Sequence, residues 1–338
     1  MIRTGIIGLG KMGISHCAIL GANPDVNLVA VCDSSSLVLE GFKKYSRFEC
    51  FSDYRKMINE SNLEALIVAT PTKFHEEMVS FALQNNIHVF CEKPFSLDIN
   101  GGRALAELAR RRQLVNQVGY HNRFIGTFNE VSKILQSSIL GEIYHFVGES
   151  YGPVVLKEKS GTWRSEKGQG GGCLYDYASH TIDLIGFLLA KPVAVAGTQM
   201  KSIFSRDVED AVYSNLTLAN GLSGHLSVNW SDETYRKMTT QITLLGKKGK
   251  VIADATELKI FLKEENEAFG LSKGWTVKNI VDLTPGVSFN LRGEEYTEQL
   301  DHFIQAILTK NLQTRSSFES ALATDELIRQ LIADTSNN

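Results

Sequence analysis

The chain has 338 residues, of which 43% are apolar and 22% charged, and its net charge is −3. That length supports roughly two domains with full cores, and the composition is that of an ordinary globular protein. The absence of a long basic block argues against nucleic acid as a partner, and no apolar run approaches the length needed to span a membrane.

The short run Arg110-Arg111-Arg112 closes a predicted helix, where cations complement the dipole, so it reads as a solvated helix end. Five cysteines, at 17, 32, 50, 91 and 173, form no C-x-x-C pair, which points to neither a disulfide framework nor a zinc site. No metal is expected. Cys32 and Cys91 fall at predicted strand ends and read as buried small hydrophobes. The first strand begins at once, leaving no room for a signal peptide, so a cytoplasmic location is expected.

A strand over 2–8 runs into glycines at 8, 10 and 13, with helix-forming residues from 11 to 22 directly behind them. This is the G-x-G-x-x-G pattern of strand, tight turn and helix N-terminus. Gly8 allows the turn, Gly10 lets backbone approach a pyrophosphate, and Gly13 lets the helix lie against the strand. The unpaired N–H groups at the helix start, around Lys11 and Met12, would hold the phosphates. A second strand, 28–32, ends at Asp33, twenty residues after Gly13. A carboxylate there accepts hydrogen bonds from ribose hydroxyls and repels a 2′-phosphate. Ser34-Ser35-Ser36 follows without an arginine, so NAD is the expected cofactor rather than NADP.

Further strands are predicted at 49–51, 65–69, 87–91 and 115–118, with helices near 36–46, 53–60, 74–86 and 99–112. Short apolar strands separated by helices imply a parallel sheet covered on both faces, here a doubly wound Rossmann domain over residues 1–122. Ligands on such sheets bind beyond the carboxyl ends of the strands. Thr70, Pro71 and His75 follow the fourth strand, and Glu92-Lys93-Pro94 follows the fifth; Thr70, Pro71, His75, Glu92 and Lys93 are therefore candidate cofactor contacts. Thr70-Pro71 reads equally as a helix entry with Thr72 as its cap.

Residues 123–338 read as an α+β domain with a large, mainly antiparallel open sheet. A helix at 124–138 leads to a strand at 142–150, an irregular glycine-rich stretch to Gly172, and a helix from Leu174 to Leu189. Strands follow at 193–201, 210–218, 222–231, 238–245, 249–254 and 257–263, with a hairpin at Asn220-Gly221. Leu222, Leu226, Val228 and Trp230 share one face of their strand, and Ser223, His225, Ser227 and Asn229 the other. The second face is either wet or shared with another subunit, so a homodimer or homotetramer through it is expected. Two amphipathic helices close the chain, carrying Leu300, Phe303 and Ile307, then Leu322, Leu327 and Leu331; they are candidates to pack back on the first domain.

Asp176 and His180 stand four apart in a predicted helix, one turn apart on one face, behind the glycines of 168–172. Trp163-Arg164 suits stacking on a sugar and gripping an anion, or equally a buried ring beside a solvated cation. His16 and His145 read as structural.

The N-terminal G-x-G-x-x-G, Thr-Pro with its following His, Glu-Lys-Pro, Gly-Tyr-His-Asn-Arg-Phe at 119–124 and Gly-Gly-Gly…Asp176-x-x-x-His180 together resemble the glucose-fructose oxidoreductase, inositol dehydrogenase and MocA-like (Gfo/Idh/MocA) family across essentially the whole chain. The resemblance implies that Lys93 sits by the nicotinamide and the reacting hydroxyl, and that Asp176 and His180 complete the catalytic set. It implies a substrate-reading region at Tyr120 to Arg123 and at 151–172, which includes Trp163 and Arg164. His180 fits a general acid/base, Asp176 an orienting or relaying group, and Lys93 a cation for developing alkoxide charge. The expected activity is hydride transfer between NAD(H) and a secondary alcohol of a sugar, polyol or nucleotide sugar. The rivals are NAD-dependent glycoside cleavage on the same fold and a non-catalytic nucleotide sensor.

Overall fold

The computed structural model describes residues 1–154, 162–284 and 286–336. The first eleven elements alternate strictly. They are β1 (Ile2–Ile7), α1 (Lys11–Gly21), β2 (Val26–Cys32), α2 (Ser36–Tyr45), β3 (Glu49–Phe51) and α3 (Tyr54–Glu60). After these come β4 (Ala65–Val68), α4 (His75–Gln84), β5 (His88–Cys91), α5 (Ile99–Arg111) and β6 (Asn116–Val118). There follow α6 (Gly126–Gln136), β7 (Ile143–Tyr151), α7 (Ser179–Leu188), β8 (Pro192–Lys201), β9 (Ala211–Leu218), β10 (Ser223–Asn229) and β11 (Thr239–Gly246). The chain ends with β12 (Gly249–Asp254), β13 (Glu257–Leu262), β14 (Gly274–Asn279), α8 (Ile280–Leu283), α9 (Glu294–Leu308) and α10 (Phe318–Ser336).

Two units result. The first comprises Met1–His121 and Gly286–Leu322; the second takes up the chain at Asn122 and again at Ala323. In the first, six parallel strands lie in the order β3-β2-β1-β4-β5-β6, the dinucleotide-binding order, whose direction reverses between β1 and β4. The strands are apolar on both faces because helices cover both: β4, Ala-Leu-Ile-Val, is buried at every residue. Leu300, Phe303 and Ile304 of α9 belong to the core on one face, with Ile6 and Phe90, and Phe318 stacks on Phe95 in the other core.

The second unit holds eight strands in the order β14-β13-β12-β11-β7-β10-β9-β8. Every adjacent pair is antiparallel except β7 and β10. That parallel pair departs from a purely hairpin-built sheet, because α7 and the β8–β9 hairpin intervene before the chain returns as β10 beside β7. The alternation read at 222–230 is present: Leu226, Val228 and Trp230 are buried with Ile182 and Ile185 of α7, while His225 faces outward.

Three local readings are corrected. Strand β14 went unpredicted; it lies at the sheet edge, where alternate residues stay exposed. The helix expected from Leu174 begins instead as a π-helical turn, Leu174–Ala178, before the regular α7. Finally, a 3-10 turn, Thr72–Phe74, precedes α4, and Thr72 is no side-chain cap; Pro71 occupies the capping position without a side-chain hydrogen bond.

Arg110 and Arg111 end α5 and both bind Glu107, as an exposed helix end should. All five cysteines are unbridged. Among the described residues no helix is long and apolar enough to cross a membrane.

Candidate functional site

In the first unit the glycine turn has the form its sequence requires. Gly8 has φ +89, and a Cβ there would lie 2.6 Å from the Ala69 carbonyl oxygen at the end of β4. A Cβ on Gly13 would collide with the Gly8 carbonyl, whereas Gly10 has nothing within 4 Å of the corresponding position. Two glycines thus close the turn against β4 and α1, and the third keeps its outer side open. Helix α1 starts at Lys11 with no side-chain cap and no acid in its first turn, so its leading N–H groups are suited to an anion. These are the features a dinucleotide pyrophosphate needs, and the residues present fit NAD.

Asp33 is fixed beside that turn. Its Oδ2 accepts from the Leu9 amide at 2.6 Å and its Oδ1 from the Ser35 amide at 2.8 Å. Each oxygen retains a lone pair for ribose hydroxyls. Met12 is half-buried and Lys11 exposed.

The loops after β4 and β5 meet at His75. The ring is fully buried; its Nε2 lies 2.9 Å from the Thr70 carbonyl, and its Nδ1 lies 3.1 Å from that of Pro94 and 3.3 Å from that of Phe95. Burial pushes the imidazole below its ordinary pKa, against the opposing pull of those carbonyls and of Glu92. His75 is therefore wedged between the two loops, and as a neutral imidazole its single N–H donates to the Thr70 carbonyl or to those at and beyond the cis Lys93-Pro94 bond, one side at a time.

Glu92 is held at both oxygens. His16 Nε2 donates to Oε1 at 2.7 Å and the Lys93 amide donates to Oε2 at 3.2 Å. Burial alone would raise this carboxyl, but the His16 hydrogen bond and the charges of His16 and Lys93 outweigh it and hold the group below the usual carboxylate range. A Cβ on Gly119 would sit 2.9 Å from Glu92 Oε2, so glycine leaves the room that carboxylate takes. Lys93 is half-buried, and Tyr120 is fully buried in the core of this unit.

In the second unit Asp176 and His180 are both buried, at 4% and 3% exposure, in the π turn and the first turn of α7. Asp176 Oδ2 accepts from Arg164 Nε at 2.8 Å, and the Arg164 guanidinium lies 5.1 Å from the centre of the Trp163 ring. The room beside Gly172, φ +104, is taken by the Glu209 carboxylate, which accepts from the Leu174 amide at 2.8 Å and caps the π turn. Burial raises the Glu209 carboxyl.

Arg123 is committed elsewhere in this unit. Its Nε and Nη2 grip Asp183 at 2.9 and 2.6 Å, both partners are buried, and its guanidinium lies 5.4 Å from the Phe187 ring centre. Of the substrate-reading stretch, 155–161 lies outside the described residues. Sequence reasoning passed over Glu209 and Asp183. No local motif marks Glu209, while Asp183, about one turn beyond His180 and followed by the apolar run Leu184 to Leu188, is the charge that signals a buried partner.

A six-stranded parallel sheet in dinucleotide order, with an uncapped glycine turn and an acid after its second strand, defines a nucleotide-cofactor Rossmann protein, here joined to an eight-stranded α+β unit. Two sequence models identify it further: the NAD-binding Rossmann fold of the GFO/IDH/MocA oxidoreductase family matches residues 2–120, and that family's C-terminal domain matches residues 128–252. The chain belongs to the Gfo/Idh/MocA oxidoreductase family, and its cofactor is NAD.

Among its relatives, an uncharacterized oxidoreductase of Schizosaccharomyces pombe is 28% identical over 215 residues, 62% of this chain and 58% of its own. Glucose-6-phosphate 3-dehydrogenase of Bacillus subtilis is 29% identical over 194 residues, 56% of this chain and 54% of its own. The chain thus spans little more than half the length of these relatives. A levoglucosan dehydrogenase solved in complex with NADH shares the fold, with a TM-score of 0.89 at 19% identity, covering 99% of this chain and 97% of that one.

Proposed function

We propose that the protein is an NAD(H)-dependent dehydrogenase that transfers a hydride between the cofactor and a secondary alcohol of a sugar, polyol or nucleotide sugar. The observation that carries this reading is the pairing, within one chain, of a dinucleotide turn fit for NAD with a buried Asp176 and His180 on a helix start. A sugar-phosphate dehydrogenase among the sequence relatives supports the substrate class.

Bound NAD supplies the hydride acceptor at its nicotinamide. With NAD accepting the hydride, oxidation of a secondary alcohol to a ketone would leave the hydroxyl proton for a base of this chain to take. His180 takes the proton, since imidazole accepts and returns protons near neutral pH. Lys93 is the cation this reading assigns to negative charge as it develops on the substrate. Asp176, a carboxylate in contact with the Arg164 guanidinium, orients the substrate hydroxyls and the imidazole. Thr70, Pro71, His75, Glu92 and the 8–13 turn with Asp33 form the cofactor side. Trp163 and Arg164 are the substrate-side residues of this reading, while Tyr120 lies in the core and Arg123 is paired with Asp183.

The outward face of the second unit's sheet carries Tyr151, His225, Trp275 and Val277, the last two at 55% and 49% exposure, and we assign it to self-association. Light scattering would give a dimer or tetramer, and a monomer at micromolar concentration would refute this.

The test of activity is a panel of inositols, aldoses, amino sugars and nucleotide sugars mixed with NAD and followed at the reduced-nicotinamide band. NADH should accumulate in proportion to one substrate class. Lys93→Met should abolish turnover while NAD still binds. Substrate consumed without net NADH would point instead to glycoside cleavage, and binding without turnover to a sensor.

A further inference from the structure

We infer that His16 is a positioning residue for the Lys93 ammonium, acting through Glu92; this rests on the dehydrogenase reading above. His16 lies on α1, whose first turn is the candidate phosphate site, yet its ring points away from that site into the sheet. It is wholly buried, and its edge packs on Phe90 at a centroid distance of 5.4 Å and an interplanar angle of 71°. Its Nε2 donates to Glu92, and its Nδ1 has no hydrogen-bond partner among the described residues. The ring therefore makes one polar contact, and that contact is to the residue preceding Lys93.

Glu92 can pass this constraint on. Its amide continues the β4–β5 ladder by donating to the Val68 carbonyl at 2.8 Å, which fixes the backbone on the Glu92 N-terminal side. Its Oε2 accepts from the Lys93 amide, which orients the next peptide, and Gly119 leaves the carboxylate its space. Without the His16 donor, Oε1 loses a charge-assisted bond in a mostly buried setting, where an unsatisfied carboxylate oxygen is costly. The Lys93 ammonium, on the next residue, is a cation whose charge already acts on Glu92. Glu92 would turn to it, and an ammonium drawn onto a protein carboxylate no longer serves a substrate oxygen. The same link joins the helix that receives the pyrophosphate to the loop that bears the reacting-end lysine.

The test uses the full-length protein and two readouts. Competitive acetylation by acetic anhydride, read by mass spectrometry, compares Lys93 with the exposed Lys44. Titration with NADH and steady-state kinetics accompany it. His16→Phe keeps the ring packing and removes the donor. It should slow Lys93 acetylation several-fold, leave Lys44 unchanged, leave NADH affinity nearly unchanged, and lower kcat by about tenfold to hundredfold, the scale of a small misplacement. His16→Gln, which keeps an N–H donor at similar reach, should restore both.

Unchanged Lys93 reactivity in His16→Phe, or a loss that Gln does not restore, overturns the inference. If the Phe variant does not fold, His16→Asn, whose amide is too short to reach Glu92, takes its place with the same expected results. A wild-type protein that reduces no NAD with any sugar defeats the dehydrogenase reading, while the acetylation comparison still decides whether His16 governs Lys93.

Discussion

Arg164 Nε donates to Asp176 Oδ2 at 2.8 Å, so the buried carboxylate in the π turn before α7 is held by a cation from the glycine-rich segment twelve residues earlier. Sequence alone offered Arg164 as a grip for an anionic substrate group. The contact gives it a second use, that of keeping Asp176 in one place.

These two uses separate kinetically. If Arg164 serves Asp176, Arg164→Ala lowers kcat for neutral and charged substrates alike, on the order of tenfold. If it grips an anion, the loss appears in KM and only for charged substrates. Thermal unfolding should change little in either case, by about 1 kcal/mol or less, because the Arg164 side chain is 48% exposed. Kinetics with a neutral polyol and a sugar phosphate, beside a melting curve, decide between them.

The Arg123–Asp183 pair should behave in the opposite way. Both groups are buried and joined by two hydrogen bonds, so removing one leaves a buried charge unpaired. Arg123→Met should cost roughly 3–5 kcal/mol in denaturant unfolding. The double variant Arg123→Met, Asp183→Leu should recover most of it, because neither member of the pair then leaves an unpaired charge buried. A single variant of wild-type stability with a raised KM would show Arg123 to be a substrate residue, as the sequence motif suggested.

Besides the fully buried His75, two half-buried histidines of the first unit add to the pH dependence of its stability. Val115 N–H donates to His88 Nδ1 at 2.9 Å, and Arg315 N–H donates to His302 Nε2 at 3.1 Å. Each ring nitrogen must keep its lone pair, so protonation breaks the bond. Burial lowers both pKa values, and for His302 the Arg315 charge adds to it. Groups whose folded pKa is depressed leave the unfolded chain to bind protons first. Their stabilisation is therefore complete above the unfolded value, about 6.5, and is lost as pH falls below it. Melting temperature should drop between about pH 7 and pH 5, and the combined His88→Gln, His302→Gln variant should flatten that slope.

Much of this molecule is legible in its sequence. Apolar strands such as Ala65–Val68, punctuated by helices, give the parallel sheet, and the alternation from Leu222 to Trp230 gives the half-open one. Strand β14 escaped because Gly274–Asn279 has an edge pattern that resembles a loop. The candidate site is legible where spacing is local, as in the glycine turn and Asp176 with His180. It is not legible where side chains meet over long separations. His16 with Glu92, 76 residues apart, and Arg123 with Asp183, 60 apart, carry no mark of each other in the linear chain. His16 reads as a structural histidine inside a helix, and only the fold shows which carboxylate it meets.

Asp33 gives the sharpest prediction about cofactor choice. Its carboxylate is already anchored by the Leu9 and Ser35 amides, so it cannot swing away from an incoming 2′-phosphate, and like charges in a fixed geometry repel. The following residues, Ser34 to Ser36, offer no cation. The wild type should therefore use NAD well and NADP poorly. Asp33→Ser with Ser34→Arg removes the repulsion and adds a guanidinium fork for the phosphate. Affinity for NADPH, measured by fluorescence titration, should rise by at least about tenfold while that for NADH falls by a similar factor. The swap has a structural cost, because the Leu9 amide loses a charge-assisted acceptor worth about 1.5–3 kcal/mol. A lower melting temperature without cofactor should accompany the switch, and saturating NADPH should offset part of it. Unaltered preference in a folded variant would show that Asp33 serves the turn alone.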